Sequence, residues 1–188
     1  MTLPSVTYIL CGGASSRMKR DKATMDFQGK PLVSWIIETC HQANLSPVLV
    51  HKQTPPPVLM DLCENHIIDN VEKFHPLYGI IASMEDAIQK KYSSILVVPC
   101  DSPFISSHTL LSLRTNSAPS IGVSLNTIDN MTETHPLIAH YPINAIQQAR
   151  ALAKQEASMR EFAKLANWVY LSKKEVYNCN YPSDVIPH

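Results

Sequence analysis

Apolar and polar positions fall into blocks along the chain, and the blocks carry two different periods. "SVTYILC" is a short, β-rich apolar run, and "KPLVSWIIETCHQAN" follows with Leu32, Trp35, Ile36 and Thr39 at helical spacing behind a proline suited to a helix start. The alternation then repeats. "SPVLVHK" and "HIIDN" predict strands on either side of a short helix that opens on the prolines of "PPPVLMDLCEN". "PLYGIIASMEDAIQKKY" predicts a helix whose apolar side holds Ile80, Ile81, Met84 and Ile88. "SSILVVPCD" is a bounded apolar run, the look of a strand covered on both faces of a parallel sheet. Beyond Ser106 come a helix "SSHTLLSLRTN", strands "SIGVSLN" and "HPLIAHY", helices "PINAIQQARALAKQ" and "SMREFAKLAN", a strand "WVYLS" and a tail "VYNCNYPSDVI". Strands alternating with helices predict a doubly wound α/β fold, a Rossmann-like αβα sandwich of three layers around a mostly parallel sheet. At 188 residues the chain can build one sizeable core, so the expected organisation is a single domain over 1–188.

Composition narrows the partners. Lys plus Arg and Asp plus Glu number 16 each, and no block of like charge marks a nucleic-acid or membrane footprint. Any polyanion bound here is expected to be small. The five cysteines, Cys11, Cys40, Cys63, Cys100 and Cys179, are scattered without a CxxC pair, which reads as reduced thiols in a cytoplasmic protein. No apolar run reaches the roughly 18 residues a membrane span needs, and "MTLPSVTYIL" lacks the basic start and cleavage site of a leader.

The densest chemistry is in "ILCGGASSRMKRDKATMDFQGKPL", from Ile9 to Leu32. In an α/β sheet the loop after the first strand is the usual phosphate cradle. Gly12 and Gly13 let the backbone approach a phosphate with no Cβ in the way, and Arg17 and Lys22 add a forked and a point charge. Two familiar phosphate loops fail on spacing. A Walker A loop needs GxxxxGK[ST], but Gly29-Lys30 is followed by Pro31, and a dinucleotide fingerprint needs a third glycine that this loop lacks.

Other candidates lie at strand ends. Asp101, just past the buried run of "LVVPCDSPFIS", suits a Mg²⁺ ion, or else a cap for the helix that begins near Ser106. Asp69, closing "HIIDN", suits a base acceptor, or else an Asx turn. "ETHPLIAHY" carries His135 and His140, and a lone histidine in a strand is as a rule structural. Arg160 sits on a segment whose Met159, Phe162 and Leu165 are expected to be core, with the arginine either solvated or bound to an anion.

"LCGGASSRMKRDKATMDFQGKPL" resembles the LxGGxSxRMGxDK...GKPL signature of the GT-A-like nucleotidyltransferases, most closely the MobA family of molybdenum cofactor guanylyltransferases. The resemblance runs from about Val6 to Val185, with PCDxPF matched around Asp101, GPLxG around Gly79 and NxNTPEDL around Asn178 and Asn180. Three positions depart from the pattern: Lys19 and His75 stand where the family has glycine, and Tyr181 where it has threonine.

The resemblance implies transfer of GMP from GTP to molybdopterin, or its molybdenum-loaded form, with release of pyrophosphate. It implies that Gly12 and Gly13 with Arg17 and Lys22 hold the triphosphate, that Leu10 and Cys11 beside them bind substrate, that Arg17, Lys22 and Asp101 carry catalysis, and that Asp101 holds Mg²⁺. By the same likeness Asp69 reads guanine, Gly79 lets helix and ligand approach, His135 lies toward the acceptor, Arg160 meets its terminal phosphate, and Asn178 and Asn180 contact phosphate or metal-bound water. GTP and molybdopterin are then the small-molecule partners, with transient contact to cofactor-biosynthesis or acceptor proteins. The rival readings are a cytidylyltransferase for molybdopterin or another small phosphorylated acceptor, and a non-catalytic nucleotide-binding homologue.

Overall fold

The computed structural model describes residues 6–11, 22–115, 119–125 and 131–179. The chain opens with strand β1 (Val6–Leu10), every residue of which is buried. A single 3₁₀ turn at Lys22–Thr24 leads into a small hairpin of β2 (Asp26–Phe27) and β3 (Lys30–Pro31). Its two-residue loop, Gln28-Gly29, has φ of 55° and 85°. Positive φ at both positions suits the right-handed twist of a tight hairpin, and glycine adopts it without steric cost.

Helix α1 (Leu32–Gln42), strand β4 (Ser46–His51), helix α2 (Pro57–Leu62), strand β5 (His66–Ile68), helix α3 (Pro76–Gln89) and strand β6 (Ser94–Pro99) follow in alternation. Then come helix α4 (Ser107–Thr115), strands β7 (Ser120–Leu125) and β8 (Thr132–Pro142), helices α5 (Ile146–Lys154) and α6 (Met159–Phe162) and strand β9 (Asn167–Tyr170). The seven-stranded sheet has the order β5-β4-β1-β6-β8-β7-β9. β8 alone runs against its neighbours, so the sheet is mostly parallel, as the alternating pattern predicts.

The strand period of two sorts the core into two layers. Tyr8 and Leu10 face α3 with Val48, Val50, Ile95 and Val97, a cluster extended by Ala149 of α5 and Phe162 of α6. Ile9 and Cys11 face the opposite side with Leu49, Leu96 and Val98, against Val33, Ile36 and Ile37 of α1 and Leu110 and Leu113 of α4. The three-layer αβα arrangement follows from this split.

Two expectations about core positions need correction. Ile88 is exposed, and α3 instead buries Leu77, Ile80, Ile81, Ser83, Met84 and Ala87, because its contact face turns toward β1 and β4. Leu165 is 89% exposed, because α6 ends at Phe162 after one turn and the chain leaves helical register before reaching it. Phe162 anchors that turn, its ring 4.8 Å from that of Tyr141, with Met159 packed against the same core.

Candidate active site

The parallel strands determine where the site lies. β1, β4, β5 and β6 all point their carboxyl ends to one edge of the sheet, and the ladder runs on past β1, with Cys11 N donating to Val50 O and Cys100 N to Leu10 O. The loops that leave this edge therefore diverge from a rigid base, the place where open α/β sheets bind ligands. A cavity of about 420 Å³ lies there, with Leu10, Val50, Gly79, Leu137 and Ile138 as its apolar wall. Its polar groups are Lys22, His51, Lys52, Asp69, His75, Asp101, Ser102, His135 and Asn178.

Of the candidates read from sequence, Leu10, Lys22, Asp69, Gly79, Asp101, His135 and Asn178 share this cleft. Lys22 Nζ donates to Asp101 Oδ2 at 3.0 Å, so the 3₁₀ turn after β1 is tied to the end of β6. Asp101 does not cap α4. That task falls to Ser106, whose Oγ accepts from Thr109 N at 3.1 Å. Asn178 joins the same corner: its Oδ1 accepts from Ser102 Oγ at 2.9 Å, and Cys179 N donates to Asp101 O at 2.8 Å.

Asp69 combines both readings open to it. Its Oδ1 accepts from Val71 N at 3.1 Å, an Asx turn, yet the buried carboxylate also borders the cleft. Its Oδ2 lies 2.5 Å from Lys52 Nζ as an ion-pair contact outside hydrogen-bond alignment. Lys52 follows β4 directly, and strand-end position is the signal that would have singled it out; the sequence reading passed over it.

Gly79 sits where α3 crosses the ends of β1 and β4. A Cβ there would stand 3.3 Å from Leu10 Cδ2, tighter than ordinary contact, so the residue allows the helix to close on the apolar wall. His75 caps this helix, its Nδ1 accepting from Leu77 N at 3.3 Å with an extended backbone that any residue adopts. The departure from glycine is thus accommodated as an N-cap.

His135 lines the cleft with Nε2 2.8 Å from Ser124 Oγ, and burial pushes its pKa below the usual histidine range although nearby Glu133 pulls the other way. His140 is buried away from the cleft with Nε2 2.8 Å from Ser94 Oγ, the structural role expected of it. At the other end of the sheet edge, His51 and His66 stack at 24°, with His51 Nε2 3.0 Å from His66 Nδ1. His66 Nε2 must donate to Cys63 O at 2.5 Å, so His66 Nδ1 accepts and His51 Nε2 carries the donating hydrogen. Burial first, and the neighbouring ring second, push the His51 pKa down to about 4.

Cys11 is buried with its side chain in the α1 layer, outside the cleft lining. Arg160 is exposed on α6 and does not line the cleft; α6 packs beneath β8 through Phe162 instead. Gly12, Gly13, Arg17, Lys19 and Asn180 lie outside the described residues.

Among the described residues no group of three or more His, Cys, Asp and Glu side chains gathers to hold a metal by itself. Asp101 nonetheless fits a hard divalent cation such as Mg²⁺, which takes one or two protein carboxylates and fills its shell with water and phosphate oxygens. Lys22 already engages Oδ2, so Oδ1 is the donor such an ion would use.

A crevice at the carboxyl edge of a parallel sheet, with a lysine-carboxylate pair toward β6 and a buried carboxylate toward β5, defines a nucleotidyltransferase of the α/β class. The chain belongs to the MobA-like NTP transferase domain family, whose profile matches residues 7–170. A curated Opitutus terrae protein named "probable molybdenum cofactor guanylyltransferase" is 30% identical over 155 residues, covering 82% of this chain and 75% of that protein. The Rhizobium meliloti molybdenum cofactor guanylyltransferase is 27% identical over 161 residues, 84% of this chain and 72% of that protein. In fold, the chain matches the crystal structure of molybdopterin-guanine dinucleotide biosynthesis protein A from Archaeoglobus fulgidus with a TM-score of 0.69 at 20% identity, over 94% of this chain and 92% of that one. Among the described residues no helix is long and apolar enough to cross a membrane.

Proposed function

We propose that the chain, acting as one domain over residues 1–188, transfers GMP from GTP to the phosphate of molybdopterin or its molybdenum-loaded form. The observation that supports this best is the distribution of charge along the cleft. Lys22 and Asp101 meet beside the end of β6, while Asp69 follows β5, and β4 and β1 lie between. At a strand spacing of about 4.8 Å, the two ends are separated by about 10 to 15 Å, the scale of a nucleotide from base edge to α-phosphate. The apolar wall of Leu10, Val50 and Gly79 lies between them and suits a base and ribose.

In this reading Lys22, with Gly12, Gly13 and Arg17 of the preceding loop, holds the triphosphate. Asp101, with Asn178 at its side, holds Mg²⁺, which when bound neutralises charge on the phosphates as the reaction proceeds. An oxygen of the acceptor phosphate, already ionised at neutral pH, attacks the α-phosphorus. The new P–O bond forms as the bond from the α-phosphorus to the bridging oxygen breaks, and the electron pair leaves with pyrophosphate. No side chain has to remove a proton, so the protein contributes position and charge. His135, on β8 across the cleft, faces the space left for the acceptor.

The test is pyrophosphate release from Mg-GTP with and without molybdopterin, with Mg-CTP as the paired control. Release that needs the acceptor and is confined to GTP is the expected result. Equal release with CTP would move the assignment to a cytidylyltransferase, and binding of GTP without release would leave a nucleotide-binding homologue.

A further inference from the structure

The segment from Asn70 to Phe74, between β5 and α3, is held by side chains rather than by a strand or helix, and one cation gathers it. Lys52 Nζ donates to Val71 O at 3.1 Å and to Lys73 O at 2.7 Å, and stands 2.5 Å from Asp69 Oδ2. The rings of Tyr78 and Phe74 approach the same ammonium, their centroids at 5.3 and 5.9 Å. Little water reaches the pair: the Lys52 side chain is 13% exposed and that of Asp69 3%.

Two of the ammonium's three hydrogens go to the loop carbonyls, and the Asp69 carboxylate lies against it as its ion-pair partner. Lys52 is therefore committed to the loop and the carboxylate, and it is not a free cation awaiting a phosphate. A carboxylate has about four lone-pair positions. Val71 N takes one on Oδ1, and Oδ2 is sealed from solvent against Lys52, which leaves the second lone pair of Oδ1 for a ligand in the cleft. One acceptor position on the cleft side matches one donor on a ligand.

From this geometry we propose that Lys52 is the positioning residue for base selection: it fixes the Asp69 carboxylate and the loop around it, so that the remaining lone pair on Oδ1 reads the 2-amino donor of a guanine edge. This rests on the guanylyltransferase reading and adds to it the residue by which this chain enforces it.

The discriminating probe is inosine triphosphate, which keeps N1–H and O6 and lacks only the 2-amino group. Binding of Mg-GTP, Mg-ITP and Mg-CTP to the full-length protein is titrated for the wild type, Lys52→Met and Lys52→Arg, with a thermal melt of each. The wild type is expected to bind GTP about tenfold or more tightly than ITP, the scale of one hydrogen bond to a buried charge. In Lys52→Met the GTP-to-ITP ratio is expected to fall toward one, and Lys52→Arg should restore most of it. A Lys52→Met protein in which both nucleotides weaken equally and the ratio persists overturns the proposal, because that is what a general structural role would produce. Should Lys52→Met not fold, Lys52→Gln, equally uncharged, replaces it with the same two readings. A wild type that binds CTP as tightly as GTP overturns the guanine reading itself, and that result is visible before any variant is made.

Discussion

Lys22 Nζ stands 3.0 Å from Asp101 Oδ2, joining the turn after β1 to the end of β6 across the mouth of the cleft. The two side chains are 25% and 18% exposed, so their attraction is screened and a bound anion and cation can take over each partner. Lys22→Ala is expected to lower kcat/KM for pyrophosphate release by about 100-fold or more, the scale of removing one charge-stabilising donor. Its melting temperature should stay within a few degrees of the wild type. Near-normal turnover would remove Lys22 from the triphosphate site.

Glu175 ties down the segment that carries Asn178. Its Oε1 accepts from Ser106 Oγ at 2.7 Å and from Thr109 Oγ1, and its Oε2 from Ser172 N and Oγ at 3.1 and 2.9 Å. Burial would raise its pKa, but the hydrogen bonds from Thr109, Ser106 and Ser172 outweigh it and hold the carboxyl below its ordinary range. The contribution is therefore present above the unfolded carboxyl pKa and lost as pH falls through the lower folded value. Glu175→Gln should cost about 1 to 2 kcal/mol in denaturant unfolding at neutral pH. It should also lower turnover through the displaced Asn178. Unchanged stability with lost turnover would point to a direct role for Glu175 instead.

His51 gives acid sensitivity of the opposite chemical kind. Its folded pKa is near 4 because the buried imidazole resists protonation beside His66, whereas the unfolded chain takes up the proton near 6.5. Between these values the unfolded state binds more protons, so stability falls as pH drops from 6.5 toward 4. The lowered pKa of His135 acts in the same direction. A His51→Asn protein, which cannot take up that proton, should show a shallower loss of stability over this window, by roughly 1 to 3 kcal/mol. An unchanged slope in urea titrations at pH 4.5 and 7 would exclude His51 as the source.

Gly29 occupies φ of 85° in the hairpin loop, with nothing within 4 Å of where a Cβ would stand. Space is not the obstacle there, but backbone strain is. Gly29→Val should destabilise by about 1 to 2 kcal/mol because a β-branched residue resists the left-handed region. Gly29→Asn should cost less. Equal stability of the two variants would show that the turn relaxes into another type.

The order and kind of the elements were legible in the sequence because each follows from local pattern. The continuous apolar runs of β1 and β6 are strands buried on both faces, and the prolines at 57 and 76 open helices as read. The cleft, too, was legible in outline: Lys22, Asp69 and Asp101 lie in the segments that leave β1, β5 and β6, and topology alone brings those strand ends together, whereas Gly79 on α3, His135 inside β8 and Asn178 were singled out through the family resemblance. Leu165 was not placed correctly by pattern, because the length of α6 depends on how Phe162 seats against Tyr141, a contact between distant segments.

Pairing is what local pattern cannot contain. The sequence by itself determined where strands and helices begin, which of their positions are apolar, and that the loop after β1 is rich in glycine and cations. Tertiary structure alone decided that Lys52 would spend its charge on Asp69 and two loop carbonyls, that His75 would cap α3 in place of a glycine, and that Glu175 would fasten the chain's far end to α4. Each of these links residues brought together by the order of the sheet, and the energy of a buried charge depends on the partner it meets there.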